Sequence, residues 1–444
     1  MSFTPGSRQL RRRLLWCSLL CCNLLCCNLW MAGACAARTA PAPLASGPHW
    51  VTAWEAAPQS IPQGPAVPSY RRAPLLGRQT LRMIVVPELS GGSLRLRLSN
   101  RWGDRPLPVA AAGIGAVARG AALVPGTLRA LRFSGHAGVV VPPHGAVWSD
   151  ALAWPLRAGH AVALSLYLRR PVLPTTWHRL AGQVQYLSTS GDQVDDPGAA
   201  AFRGRLTSYL WLDRIDVRAA PGAAALVAIG DSITDGMRST LNARRSWPQQ
   251  LAARLRARGV RGLAVLNAGI SGNRLLSDSA CWGPALRERF GRDALHLSGV
   301  RAVVVLIGIN DIDFAATPRR RGLDCDAPHR AVRASQLQRA LAALAARAHR
   351  HGLLVYGATL PPASLPPPRE ALRTRLDAWI RASRDFDGVI DFDAVLRDPA
   401  DPHRMRPRFD SGDHLHPSDA GYAAMAAAAL GPALRVAARS SASH

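Results

Sequence analysis

The sequence predicts an all-β region of the sandwich or jelly-roll kind, followed by a doubly wound α/β domain on a parallel sheet. Three observations carry this. Between about Trp50 and Val217, strictly alternating segments are separated by Gly and Pro turn signals. After Ala224, short and nearly continuous apolar runs alternate with amphipathic helical stripes. The two patterns meet at a small-residue stretch, Ala219-Ala-Pro-Gly-Ala223, which reads as a linker.

The chain of 444 residues is long enough for two cores, and a hydrophobic content of 48% argues against disorder. Its N-terminus reads as a leader. Arg8, Arg11, Arg12 and Arg13 precede an apolar run from Leu14 to Trp30, and the small residues Ala32-Gly-Ala-Cys-Ala-Ala37 follow. This is the order of a cleaved export signal, and the expectation is a signal peptide over 1–37 and a secreted or periplasmic protein. A membrane anchor is the competing reading, but the run holds Asn23 and Asn28 and is marginal for a bilayer about 30 Å thick, so no stable membrane span is expected. Lipid attachment at Cys35 is the weaker alternative, because Ala32 is a poor start for a lipobox. Six of the eight cysteines fall in this leader. Only Cys281 and Cys325 follow it, and in an exported chain they predict one disulfide.

The β region is placed at 47–218. Ser93-Leu-Arg-Leu-Arg-Leu98 alternates, as does Ala161–Leu168 with Val162, Leu164, Leu166 and Leu168 on one face. Tyr209–Val217 is a third strand. Trp50, Trp54 and Trp102 are assigned to its core, and Trp177-His178 to packing rather than to a ligand pair.

The α/β domain is placed at 224–438. Its strands are read at Ala225–Ile229, Leu263–Leu266, Val303–Ile307, Leu353–Tyr356 and Val389–Phe392. Ser246-Trp-Pro opens one helix that Gly259 ends, and a second runs from about Ala331 to Arg350 with Leu337, Leu341, Leu344 and Ala348 on one stripe. The segment 360–368, LPPASLPPP, is read as a rigid loop. In such sheets ligands bind beyond the carboxyl ends of the strands. The residues found there are Gly230-Asp-Ser232, then Asn267-Ala-Gly-Ile-Ser-Gly272, then Gly308-Ile-Asn310-Asp311. Before the last helix comes Asp410-Ser-Gly-Asp413-His-Leu-His416-Pro417.

That inventory suits acyl transfer. A serine hydroxyl needs a base, a histidine supplies one near neutral pH, and a carboxylate orients the histidine. Ser232, His416 and Asp413 fill these roles. The amides of Ser232 and Gly272 and the carboxamide of Asn310 are candidate oxyanion donors. Asp231 is read as bracing the turn and His414 as a loop residue. The blocks Gly-Asp-Ser, the later Gly, Gly-x-Asn-Asp and Asp-x-x-His-Pro, in this order, resemble those of the GDSL/SGNH hydrolase family. The resemblance spans residues 224 to about 437. It implies a flavodoxin-like three-layer α/β/α fold, catalysis by Ser232, Asp413 and His416, and no metal or other cofactor. The stretches "HWVTAWEAAPQ" and "LRLRLSNRWG" are also similar to secreted bacterial members that carry an N-terminal β-domain.

The expected activity is therefore hydrolysis of carboxylic esters, acetyl or short-chain, on a small molecule or polysaccharide. Acetylated polysaccharides, short-chain esters and lysophospholipids all fit. A glycan-binding surface protein with an idle hydrolase domain is the alternative from another class. The net charge of +26 does not argue for nucleic acid: all 55 basic residues are arginine, spread along the chain without an aromatic-interleaved run. Asp311 and Asp313 alone make a poor metal site. "GIGAVARG" (113–120) lacks the sixth-position glycine of a dinucleotide loop. Oligomeric state carries no sequence signal.

Overall fold

The computed structural model describes residues 47–441. The predicted leader 1–37, with Cys35, lies outside them.

The β region is built on two large antiparallel sheets. One has five strands, in the order His49–Glu55, Leu212–Ala219, Gly91–Ser99, Ala146–Trp148, with Leu152–Leu156 also paired to Gly91–Ser99. The other runs Gly204–Leu206, Gln185–Leu187, Gln79–Val85, Val162–Leu168, Ala111–Arg119, Ala122–Leu123, with Arg129–Ala130 beside Ala111–Arg119. The predicted alternation in Ser93–Leu98 holds. Leu94, Leu96 and Leu98 are fully buried, while Arg95 and Arg97 reach across the outer face to Asp216 and Asp213. Val162–Leu168 departs from a one-sided strand. Ala163 and Ser165 are buried as well, because Ala163 joins a second small core with Ile84 and Leu123. Tyr209–Val217 is broken at Trp211, whose φ of 61° ends one strand before the next begins. Of the three tryptophans assigned to the core, Trp54 is there. Trp50 and Trp102 are half-buried under the guanidinium groups of Arg95 and Arg292.

The strand Leu212–Ala219 leads through a four-residue connection, 220–223, into the parallel sheet. Its strands are β1 (Ala224–Gly230), β2 (Leu263–Gly269), β3 (Val300–Leu306), β4 (Leu354–Ala358) and β5 (Gly388–Ile390), and their spatial order is β2-β1-β3-β4-β5. This is the flavodoxin-like order, with its switch point between β1 and β3. All seven residues of β1 are buried, as a central strand covered on both faces requires. The helix Trp247–Ala257 packs with Asp419–Ala428 and Leu430–Ser441, and Ala334–Arg350 packs with Pro367–Ala382. Right-handed crossovers from β1 to β2 and from β3 to β4 travel in opposite directions along the sheet, so these two helix groups cover opposite faces. The stripes Trp247/Leu251/Leu255 and Leu337/Leu341/Leu344/Ala348 are buried as read. The proline stretch differs from its expected loop at its end. Pro367 and Pro368 open a helix, since the first helical turn needs no N–H from them and their fixed φ suits it. A single hydrophobic core runs through both the β region and the α/β domain. Among the described residues no single helix is long and apolar enough to cross a membrane.

Candidate active site

β1 ends at Gly230, where the chain turns sharply. A Cβ on Gly230 would lie 2.2 Å from the Leu306 carbonyl oxygen of β3, so only glycine lets the two strand ends close. Asp231 then caps the short helix Ser232–Asp235, its Oδ1 accepting from the Ile233 N–H at 3.0 Å. Burial pushes the Asp231 carboxyl up to about 7, and the nearby Asp311 acts in the same direction. The bracing role read for Asp231 matches this geometry.

Ser232 therefore sits at the carboxyl edge of the sheet beside the switch point. His416 and Asp413 arrive from the loop before the helix Asp419–Ala428. Ser232 Oγ lies 2.8 Å from His416 Nε2, and His416 Nδ1 lies 2.8 Å from Asp413 Oδ2. Asp413 Oδ1 also accepts from the backbone N–H groups of His416 and Leu415 and from the Ser411 hydroxyl. A carboxylate facing Nδ1 fixes the tautomer: Nδ1–H donates to Asp413, and the lone pair on Nε2 faces the serine hydroxyl. Burial pushes the Asp413 carboxyl up, but these donors outweigh it and hold it well below the usual carboxylate range. The His416 imidazole is lowered by burial and by the Arg238 guanidinium, although Asp413 pulls it upward. At neutral pH it is thus a neutral base. His414 is exposed on the loop, paired to Asp410 at 2.6 Å.

Gly272 and Asn310 follow β2 and β3 onto the same rim. Gly272 has φ 76°, and a Cβ there would strike the Trp282 ring at 2.2 Å. The space a side chain would take is filled by the Trp282 ring. Asn310 Nδ2 donates to the Asn273 carbonyl at 2.9 Å, which sets the direction of the carboxamide and uses one of its two N–H bonds. Asp311 accepts from the backbone N–H groups of Leu275 and Leu276, burial lifting it to about 6, and Asp313 pairs with Arg369. Cys281 and Cys325 form the disulfide, which ties the loop after Gly272 to the loop before Ala334–Arg350.

Two features escaped the sequence reading. Arg289 is fully buried beneath the site. It donates to the carbonyls of Gly230 (2.7 Å) and Ala268 (2.8 Å) and to Asn273 Oδ1 (2.9 Å), joining the ends of β1 and β2 to the loop that orients Asn310. As one arginine among many, it carries no local signature. His178, assigned to packing, lies 3.2 Å from Asp235 in the turn after Ser232.

A parallel β2-β1-β3-β4-β5 sheet with a serine, a histidine and an aspartate in hydrogen-bonded series at its carboxyl edge defines a hydrolase-like site. Residues 228–424 match the GDSL-like lipase/acylhydrolase family, and the α/β domain of this chain belongs to that family, whose chemistry is ester hydrolysis. Solved structures similar to about half of this chain include a GDSL-like lipase from Bacteroides thetaiotaomicron (19% identity, 48% of this chain and 88% of that one, TM-score 0.34). An acetylxylan esterase from Geobacillus stearothermophilus is similar over 47% of this chain and 94% of its own (21%, TM-score 0.36). So is LAE5, an α/β hydrolase from the metagenome of Lake Arreo, over 48% and 97% (25%, TM-score 0.36). No curated protein matches the chain.

Proposed function

We propose that the protein is an exported serine esterase that hydrolyses acetyl or short-chain carboxylic esters, with carbohydrate esters the favoured substrate. The observation that carries this is the hydrogen-bonded series Ser232–His416–Asp413. His416 Nε2 takes the Ser232 proton as Oγ attacks the ester carbonyl carbon. The carbonyl oxygen becomes an oxyanion facing the Ser232 and Gly272 amides and the remaining N–H of Asn310. The intermediate collapses as His416 returns the proton to the departing alkoxide, leaving an acyl-serine. Water, deprotonated by His416, then releases the acid and restores the hydroxyl. Asp413 stabilises the imidazolium formed in each half.

The rim around Ser232 is polar and charged, with Arg238, Asp413 and His414, which suits a short acyl group better than a long chain. Export is supported by the leader pattern and by the disulfide, which belongs to oxidising compartments. Replacing Ser232 with Ala is expected to lower hydrolysis of p-nitrophenyl acetate by at least about a thousandfold with an unchanged circular dichroism spectrum. Labelling of the native protein, but not this variant, by a fluorophosphonate probe tests the same point. Wild-type turnover by the Ala variant would refute the reading.

A further inference from the structure

The loop that carries Gly272 is held from behind. Asp235, at the end of the Ser232 helix, accepts at Oδ2 from both the Ser271 N–H (2.9 Å) and the Ser271 hydroxyl (2.7 Å). Its other oxygen, Oδ1, faces His178 Nε2 at 3.2 Å. His178 belongs to the β region, on the strand Thr176–His178, and both it and Asp235 are buried. The same imidazole meets two backbone carbonyls: Nδ1 is 3.0 Å from Ala57 O and Nε2 is 3.0 Å from Leu180 O. Every polar partner of the ring is an acceptor. A neutral imidazole would point a lone pair at one of them, so the geometry calls for both nitrogens to donate.

Two more residues of the β region reach the same loop. Gln59 Nε2 donates to the Cys281 carbonyl at 2.9 Å, and the Arg71 guanidinium lies 3.8 Å over the ring of Trp282, the residue seated on Gly272. Around His178, Glu55 from the strand His49–Glu55, Glu88, Arg244 and Tyr209 line a common small cavity with Asp235. Glu88 is taken up by Arg244 and Arg256. The Tyr209 ring stacks on the imidazole at 6.2 Å while its hydroxyl donates to the Ile84 carbonyl.

We infer that His178 is a positioning residue for ester hydrolysis: as an imidazolium supplied by the β region, it braces Asp235, which in turn holds the Ser271–Gly272 backbone where the oxyanion donor is needed. This rests on the serine-esterase reading above and gives the β region a part in the chemistry of the neighbouring domain. Burial pushes the imidazole down, but the Asp235 carboxylate and the two carbonyls outweigh it and leave it raised above its ordinary value. Loss of that proton puts a lone pair against an acceptor and removes the countercharge of Asp235. The brace then weakens, and activity falls on the alkaline side, above the pH at which His416 becomes a base.

The test is the pH profile of kcat/KM for p-nitrophenyl butyrate, and of fluorophosphonate inactivation, from pH 5 to 10 on the full protein. The wild type is expected to rise with His416 deprotonation and fall along an alkaline limb. His178→Gln is expected to lose roughly tenfold or more in kcat at pH 7 with little change in KM, and to lack that alkaline limb. Asp235→Asn, which keeps an oxygen for Ser271 but removes the charge, is expected to move the limb to lower pH, and it covers the case in which the Gln variant does not fold. An alkaline limb left in place by either substitution would overturn the inference, as would wild-type kcat in His178→Gln. Ser232→Ala in parallel separates the two readings: its inactivity upholds the nucleophile whatever becomes of His178.

Discussion

At Asp413 a single carboxylate oxygen serves two partners. Oδ2 accepts from His416 Nδ1 at 2.8 Å and from Arg238 Nε at 3.0 Å. The guanidinium is more than half exposed, so it remains partly screened by water, yet its charge opposes formation of an imidazolium next door. Removing it favours the protonated ring. Arg238→Gln is therefore expected to raise the pKa of His416 and move the acid limb of kcat/KM to higher pH, an effect that shrinks in 1 M salt. A limb that does not move would show that Arg238 has no electrostatic hold on the base. Asn310→Ala removes one oxyanion donor and is expected to lower kcat by about a hundred- to a thousandfold, measured with a p-nitrophenyl ester under saturating conditions. These residues could be found in the sequence because a strand end followed by Ser, Asn or an Asp–His turn is a local pattern. Arg238 could not, since its partner lies 175 residues away and nothing near it in the chain marks the contact.

At the scale of elements, the loop between β2 and the helix Leu286–Phe290 does most of the positioning. It bears Gly272, whose place is set by Trp282, and Asn273, which orients Asn310 and whose own carboxamide donates to the carbonyls of Trp282 and Pro284. The Cys281–Cys325 bridge anchors its far end, supported by the Ser279 hydroxyl donating to the Cys325 carbonyl. Cross-linking residues 44 apart restricts the unfolded chain, a contribution of about 2–4 kcal/mol for bridges of this kind. The Cys281→Ala/Cys325→Ala pair is expected to lower the urea midpoint accordingly and to lower kcat, because Trp282 adjoins the bridge and packs on Gly272. Unchanged kcat with a reduced midpoint would confine the bridge to stability. The strands of the parallel sheet were readable to within a few residues, as buried strands are continuous apolar runs. The pairing of the cysteines was readable from their number. The loop's bonds were not, because Asn273 and Arg289 act largely on backbone carbonyls, and any sequence offers a carbonyl at every position.

At the scale of the whole molecule, the division into β region and α/β domain, visible as a change of pattern near residue 220, does not describe how the chain holds together. The core is continuous across it. Thr52 N–H bonds the Ser298 carbonyl, Ser298 Oγ bonds Asp216, and Arg292 reaches the Pro58 carbonyl. Periodicity shows which face of a strand is apolar but not which partner covers it, so this interface lay beyond the sequence. Buried titratable groups lie both along this interface and at the active site. Burial raises Glu55, Glu88, Asp231 and Asp311, and His178 is raised by Asp235 and its carbonyls. For the acids, a folded pKa above the unfolded one means that the folded state binds more protons between the two values. Stability therefore falls as pH rises from about 4 through about 7 for Asp231 and about 6 for Asp311. For His178, stability is fully present below about 6.5 and is lost as pH rises through its raised folded value. Depressed acids work in the other direction. Asp413 and Asp391 contribute stability above about pH 4 that disappears as pH falls through their folded values. The raised acids, Asp377 at about 8 among them, act over the neutral range and the depressed ones only at low pH, so the acids make stability decline toward pH 8. Thermal unfolding followed by tryptophan fluorescence and by far-ultraviolet circular dichroism should give one coincident transition, since both parts share the core. Its Tm should fall between pH 5 and 8, and the slope should flatten in Asp231→Asn, which is already neutral. Two separated transitions would contradict the shared core, and a Tm rising toward pH 8 would contradict the assignment of these buried acids as reluctant to ionise.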